Sequence, residues 1–180
     1  MSPVRSGFVI TPEVLFTNVN HSSATLVGAS GGWLYDESLL LGAAGYWQVN
    51  GSHGTGMSYF GFLAGWSVPV APSFRVGARG LFGWGEGHLT QTVTVSYTNY
   101  PDPYYHSGSQ VPPTYTTVQQ QVHVHQGFFV FEPQATAVLN FGSKVALDFG
   151  GGYRLIDAGG GWSHEFQGGF GRIGVRFGPF

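Results

Sequence analysis

Ser73-Phe74-Arg75-Val76-Gly77-Ala78-Arg79-Gly80-Leu81-Phe82-Gly83-Trp84-Gly85 divides cleanly by parity. Phe74, Val76, Ala78, Gly80, Phe82 and Trp84 form one series; Arg75, Gly77, Arg79, Leu81, Gly83 and Gly85 form the other. A period of two places alternate side chains on opposite faces of a strand. The segment therefore has an apolar wall with aromatics at its ends and a wall of glycine and arginine. The fold follows from which wall meets water.

Composition decides between them. Soluble domains carry about 25% charged residues, whereas the 180-residue chain carries 9%, with Lys144 its one lysine. A water-facing surface needs more charge than this, so the apolar wall is expected to face lipid. Nowhere does the sequence reach the roughly 20 consecutive apolar residues of a membrane-spanning helix. The other way to cross a bilayer is a closed β-barrel, in which every backbone donor and acceptor is paired between strands. Such a chain shows an even number of alternating segments of about ten residues.

Eight such segments are present. The first, Phe8 to Thr17, directs Phe8, Ile10, Val14 and Phe16 outward and Thr11 and Glu13 inward. The second, Thr25 to Tyr35, has Val27, Ala29, Trp33 and Tyr35 outward; the third, Leu39 to Asn50, has Leu39, Leu41, Ala43, Trp47 and Val49 outward over Gly42, Ala44, Tyr46 and Gln48. Phe60, Phe62, Ala64 and Trp66 mark the fourth, and Ser73 to Gly85 is the fifth. The sixth, Phe128 to Leu139, sets Phe129, Phe131, Ala135, Ala137 and Leu139 against Glu132, Gln134 and Thr136. The seventh sets Val145, Leu147, Phe149, Tyr153 and Leu155 against Asp148 and Arg154, and the eighth sets Ile173, Val175 and Phe177 against Arg172, Gly174 and Arg176. Pro12 and Pro133 fall inside strands, where each removes a ladder donor and argues for a bulge or a displaced boundary.

The connections alternate in length. Asp36 to Ser38, Val68 to Pro72 and Asn140 to Ser143 are short, while Val19 to Ala24, Gly51 to Met57, Glu86 to Gln126 and Ile156 to Glu165 are longer. Short turns belong to the periplasmic side and longer loops to the outside, which places both termini in the periplasm. Aligning Phe8 with Phe177 brings Glu13 opposite Arg172, and similar alignment across the sixth turn brings Thr136 opposite Asp148, with Arg79 near the same height. Glu13, Arg75, Arg79, Glu132, Asp148, Arg154, Arg172 and Arg176 are thus expected to form an interior charge network, because buried charges must be paired. Eight strands leave an interior that side chains fill, so no pore is expected.

With these eight segments and the closing run Arg172-Ile173-Gly174-Val175-Arg176-Phe177, nearly the whole chain resembles the small eight-stranded outer-membrane barrels. That family includes the OmpA membrane domain, OmpX-like proteins and the neisserial opacity adhesins. The resemblance implies an all-β, eight-stranded antiparallel up-and-down transmembrane barrel in the bacterial outer membrane. Outer-membrane lipids and lipopolysaccharide would surround it, and the barrel-assembly machinery would read a terminal aromatic. Phe177 and Phe180 both compete for that part, since Gly178-Pro179-Phe180 extends beyond the family's pattern. Relatives with protruding ribbons are often adhesins or defence factors.

The long fifth connection continues to alternate. Val93, Val95 and Tyr97 interleave with Thr90, Thr92, Thr94 and Ser96, and on the return Val118, Val122 and Val124 interleave with Thr117, Gln119, Gln121, His123 and His125. Residues 86–126 are therefore expected to protrude as a ribbon from the single barrel domain, 1–180, with the valines of both arms on one face and an irregular tip from Asn99 to Pro113. Exposed loops bind where barrel walls merely hold the fold, and an open sheet edge can pair with another protein's strand. Tyr97, Tyr100, Tyr104, Tyr105 and Tyr115 offer rigid contact area toward another protein or a host surface. A ribbon that shields the surface or packs with lipopolysaccharide is the alternative.

All seven histidines fall in the outer loops or the ribbon. His123 and His125 share a strand face with His88 across the pairing, so three imidazoles are candidates for a weak divalent-metal site. Otherwise no cofactor is expected. The chain is read as non-enzymatic: His21-Ser22-Ser23 and Ser163-His164-Glu165 are consecutive residues that alternate faces on a strand and make poor relays. A lipid-modifying enzyme and a soluble ligand-binding barrel of lipocalin or avidin type are the alternative functions. Net charge −2 argues against a nucleic-acid partner, and the absence of cysteine rules out disulfides and thiol chemistry. Met1-Ser2-Pro3-Val4-Arg5 lacks the apolar core of a signal peptide, as expected of a mature outer-membrane segment.

Overall fold

A computed structural model describes residues 6–19, 22–50, 56–99, 114–159 and 163–178. Its strands are β1 (Gly7–Val19), β2 (Ser22–Tyr35), β3 (Leu39–Gln48), β4 (Gly56–Ala71), β5 (Phe74–Asn99), β6 (Thr114–Asn140), β7 (Val145–Asp157) and β8 (Gly168–Phe177), with a short helix α1 (Ser163–Phe166) before β8. Each strand pairs antiparallel with the next, and β8 pairs with β1 to close the barrel. Closure leaves no edge within the wall and satisfies its backbone internally.

The alternation assigned from sequence is the alternation of burial. In β1, Val9, Thr11, Glu13, Leu15 and Thr17 are buried while Phe8, Ile10 and Phe16 are exposed. Phe60 is 65% exposed and Phe62 68%, whereas Glu132, Asp148 and Arg154 are fully enclosed. Aromatics outside and ions inside invert the arrangement of a soluble protein, so the wall suits lipid. Two aromatic girdles bound it: Phe8, Trp33, Tyr35, Trp66 and Phe177 near the short turns, and Phe16, Trp47, Phe60, Trp84 and Phe129 near the opposite end. Trp84 lies within 6.1 to 6.4 Å of the rings of Phe60, Phe62, Phe82 and Phe129. From Phe74 to Trp84, at about 3.4 Å per residue and a tilt of about 40°, the strand spans roughly 25 Å, the height of an apolar barrel band.

The interior is filled at both ends. Val9, Leu34, Leu40, Val138 and Ala146 close the end with the short turns. At the other end α1 lowers Phe166 onto Phe128, with ring centroids 5.8 Å apart. Gly87 makes this fit, because a Cβ there would lie 2.5 Å from the Phe166 ring. The turn from Tyr35 to Ser38 closes with Ser38 N–H donating to Tyr35 O at 2.9 Å, and its central residues Asp36 and Glu37 both have positive φ, 48° and 53°. That is the turn whose twist matches the flanking strands.

Several expectations are corrected. The first outer connection is not a loop from Val19 to Ala24: β1 runs to Val19 and β2 starts at Ser22, leaving residues 20–21 between them. β4 runs on through Val68 to Ala71, so the fourth turn shrinks to Pro72 and Ser73. Pro12 and Pro133 neither bulge nor end a strand; the register is the same on both sides of each, and the ladder to β8 or β7 is merely interrupted there. The register shift lies instead between Pro69 and Ala71. At closure Phe177 pairs with Ile10 rather than Phe8, and Glu13 with Gly174 rather than Arg172. Asp148 lies opposite Val138, and Thr136 opposite Gly150. Each misalignment is by two residues, which preserves the face.

Candidate functional site

Two regions hold most of the described residues singled out from sequence: the ionic interior and the β5–β6 ribbon. Inside a membrane span each polar group must find its partner within the protein, and the inward side chains do so across several strands. Glu13 on β1 accepts from Tyr46 Oη at 2.5 Å, from Arg79 Nη2 at 3.1 and 3.2 Å, and from Arg172 Nη1 at 2.5 Å. Tyr46 reaches Glu13 by lying over Gly28 of the intervening strand, where a Cβ would sit 2.4 Å from its ring. Arg172 passes likewise over Gly150 and donates from Nε to Gln134 Oε1 at 3.1 Å. The inward glycines thus provide the floor on which the long side chains lie.

Asp148 accepts from Arg172 Nη2 at 2.5 Å and from Arg176 Nη2. Gln134 Oε1 also accepts from Arg79 Nε at 2.7 Å. Nearer the ribbon, Glu132 accepts from Arg154 Nε and Tyr59 Oη, both at 2.7 Å. The Arg154 guanidinium lies 5.0 Å from the Tyr59 ring centre and 5.6 Å from that of Phe170, so aromatic faces add to its stabilisation. Seven of the eight charged residues named from sequence therefore converge in two linked clusters. Arg75 does not join them: it is half-buried at the short-turn rim, 3.7 Å from the Glu37 carboxylate and donating to Glu37 O at 2.5 Å. Tyr46, Tyr59 and Gln134 complete the network and were not foreseen in it, although their inward parity on neighbouring strands is the signal that finds them.

The ribbon is a direct continuation of the wall. β5–β6 pairing runs from Phe74↔Leu139 to Asn99↔Thr114 without a shift. β4 leaves β5 at Gly56↔His88, and β7 meets β6 only from Phe129↔Asp157. Beyond those points no further strand flanks the pair among the described residues. Val95 pairs with Val118, Gln91 with Val122 and Tyr97 with Thr116 on the face continuous with the barrel interior. Three apolar side chains here are open: Tyr97 is 54% exposed, Val118 46% and Val122 39%.

His88 lies opposite His125 with ring centroids 5.9 Å apart. His123 pairs through its backbone with Thr90, and its side chain lies outside the described ones. Among the described residues no group of three His, Cys, Asp or Glu is placed to hold a metal ion. Tyr115 is likewise placed only by its backbone, opposite Thr98. Tyr100, Tyr104, Tyr105 and Phe180 fall outside the described residues, while Phe177 ends β8 facing outward. Ser163 and His164 sit in α1, where Ser163 Oγ accepts from Ala158 N–H at 3.2 Å and His164 is exposed.

Eight antiparallel strands closed on themselves, apolar outside and ionic within, define the fold of the small outer-membrane barrels. Among solved structures the chain is similar to Neisserial surface protein A, with a TM-score of 0.56 and 10% identity over 96% of this chain and 98% of that one. The attachment invasion locus protein Ail of Yersinia pestis matches with a TM-score of 0.47 and 10% identity over 96% of each chain. No protein-family model and no curated protein matches the sequence.

Proposed function

We propose that this chain is a non-enzymatic protein of the bacterial outer membrane that makes contacts at the cell surface through its β5–β6 ribbon. The carrying observation is the ribbon itself: a regular two-stranded sheet, unflanked beyond His88 and Phe129 among the described residues, with Tyr97, Val118 and Val122 open on one face. Unpaired strand edges are templates for another strand, and an apolar face beside them supplies contact area. The reading places lipid and lipopolysaccharide against the aromatic-bounded wall, the short turns and both termini in the periplasm, and the ribbon outside. Phe177, the outward aromatic that ends β8, is the candidate for the assembly machinery among the described residues.

Replacing residues 91–122 by an Asn-Gly turn joins Thr90 to His123, which are already paired, through a two-residue hairpin. Pull-downs on intact cells with the full and shortened proteins test the proposal. Partners bound by the full protein and lost with the ribbon are the expected result; retention of every partner by the shortened barrel refutes the contact role.

A further inference from the structure

The two interior clusters differ in charge. Glu132 and Arg154 balance one another, but Glu13 and Asp148 face Arg79, Arg172 and Arg176, leaving one positive charge in excess. An uncompensated charge inside a membrane span is costly. Beside this second cluster lies a small cavity of about 20 Å³, lined among others by Arg79, Arg176, Ser38, Ser67 and Thr136. Arg176 has only 8% of its side chain exposed, and its Nε is buried without a hydrogen-bond partner among the protein groups. Ser67 and Ser38 each accept a hydrogen bond from Arg75, at 3.4 and 3.5 Å, which leaves their hydroxyl hydrogens free to donate. Excess positive charge, an orphaned cationic donor, hydroxyl donors and a matching space therefore coincide.

We propose that this cavity is a binding site for a single monatomic anion of the halide class, held by Arg176 Nε with the hydroxyls of Ser38, Ser67 and Thr136. The space corresponds to about one water-sized probe, a closer match to a monatomic anion than to phosphate, sulfate or a carboxylate. A water in the same place could accept from only two of these donors and would leave the charge uncompensated. The anion completes the second cluster as Glu132 completes the first, and ties the end of β8 to the neighbouring strands at the short-turn end.

The test uses the full chain refolded in detergent. Crystals grown in sodium bromide are expected to show a bromine anomalous peak in contact with Arg176 Nε. In solution the unfolding temperature is expected to rise as chloride replaces gluconate at constant ionic strength. Thr136→Asp supplies a carboxylate at the cavity wall, so its unfolding temperature should be indifferent to that exchange; any general salt effect persists in both proteins and is subtracted. An ordered water without anomalous signal at Arg176, or an equal chloride response in wild type and Thr136→Asp, overturns the assignment. If Thr136→Asp fails to fold, the bromine peak on the wild-type protein decides alone.

Discussion

The two halves of the β5–β6 pair share one register but live in different surroundings. From Phe74 to Trp84, β5 has β4 on one side and β6 on the other, and Arg79 on its inner face touches Glu13, Ser30, Tyr46 and Gln134. From Leu89 to Asn99 the same strand pairs, among the described residues, with β6 alone. The composition changes at that point, from glycine, arginine and phenylalanine to threonine, valine and glutamine. A two-stranded sheet is marginal by itself, so the ribbon draws order from strands already fixed in the wall, helped by the β-propensity of its Thr and Val residues. In the lower half, the inward side chains are specified by what they touch; in the upper half, Tyr97, Val118 and Val122 stand open to a contact.

The comparison breaks if removing an interior partner costs no more than altering the ribbon. Glu13→Ala is expected to have the largest effect, since it removes the carboxylate that Arg79 and Arg172 share, deepens the buried positive excess and takes away the acceptor of Tyr46. Breaking a buried ion pair by removing one partner costs about 3–5 kcal/mol. Urea unfolding of the detergent-refolded barrel, followed by the mobility shift of folded protein on unheated gels, measures it. Next comes Gly28→Leu, which drives a side chain into the Tyr46 ring and the Gly45 carbonyl. Overpacking of this kind costs about 1–3 kcal/mol, and Gly28→Leu combined with Tyr46→Ala should recover part of the loss if the clash with the ring is its cause.

The sequence made faces legible and registers less so. Parity identified the inward Glu13 and Arg172 because a period of two survives any shift by two. β1 and β8 are joined by no turn, however, and nothing local fixes their alignment, so Phe8↔Phe177 stood where Ile10↔Phe177 is found. The ion pair persists despite the shift because diagonal neighbours on a sheet lie only about 7–8 Å apart, within reach of an arginine. Side chains that act across an intervening strand were harder to read. Tyr46 reaches Glu13 only because Gly28 lies between them, a relation of three strands that no single alternating segment displays. The plug formed by Phe166 was hidden for a related reason: it enters from a connection rather than a strand, and its seat is again a glycine, Gly87.

Smaller effects sharpen the upper half of the comparison. Shortening the ribbon by replacing 91–122 should change barrel stability by less than about 1 kcal/mol, since none of the described residues removed touches either ionic cluster and a two-stranded ribbon adds little. A loss as large as that of Glu13→Ala would instead show that the ribbon supports the wall. The smallest effect is expected from Val118→Lys. Val118 is 46% exposed, opposite Val95 on the open face, and a surface change away from packed or charged partners is usually within about 0.5 kcal/mol. The same substitution places a charge in the middle of the apolar stripe, where any strand or apolar surface laid along it would have to desolvate a lysine. Unchanged urea unfolding together with weakened capture of a surface partner would separate the ribbon's contact role from any part in stability. A clear loss of stability would mean that the valine face is already packed within the folded protein, and the division between a specified wall and a free ribbon would have to be moved upward along β5 and β6.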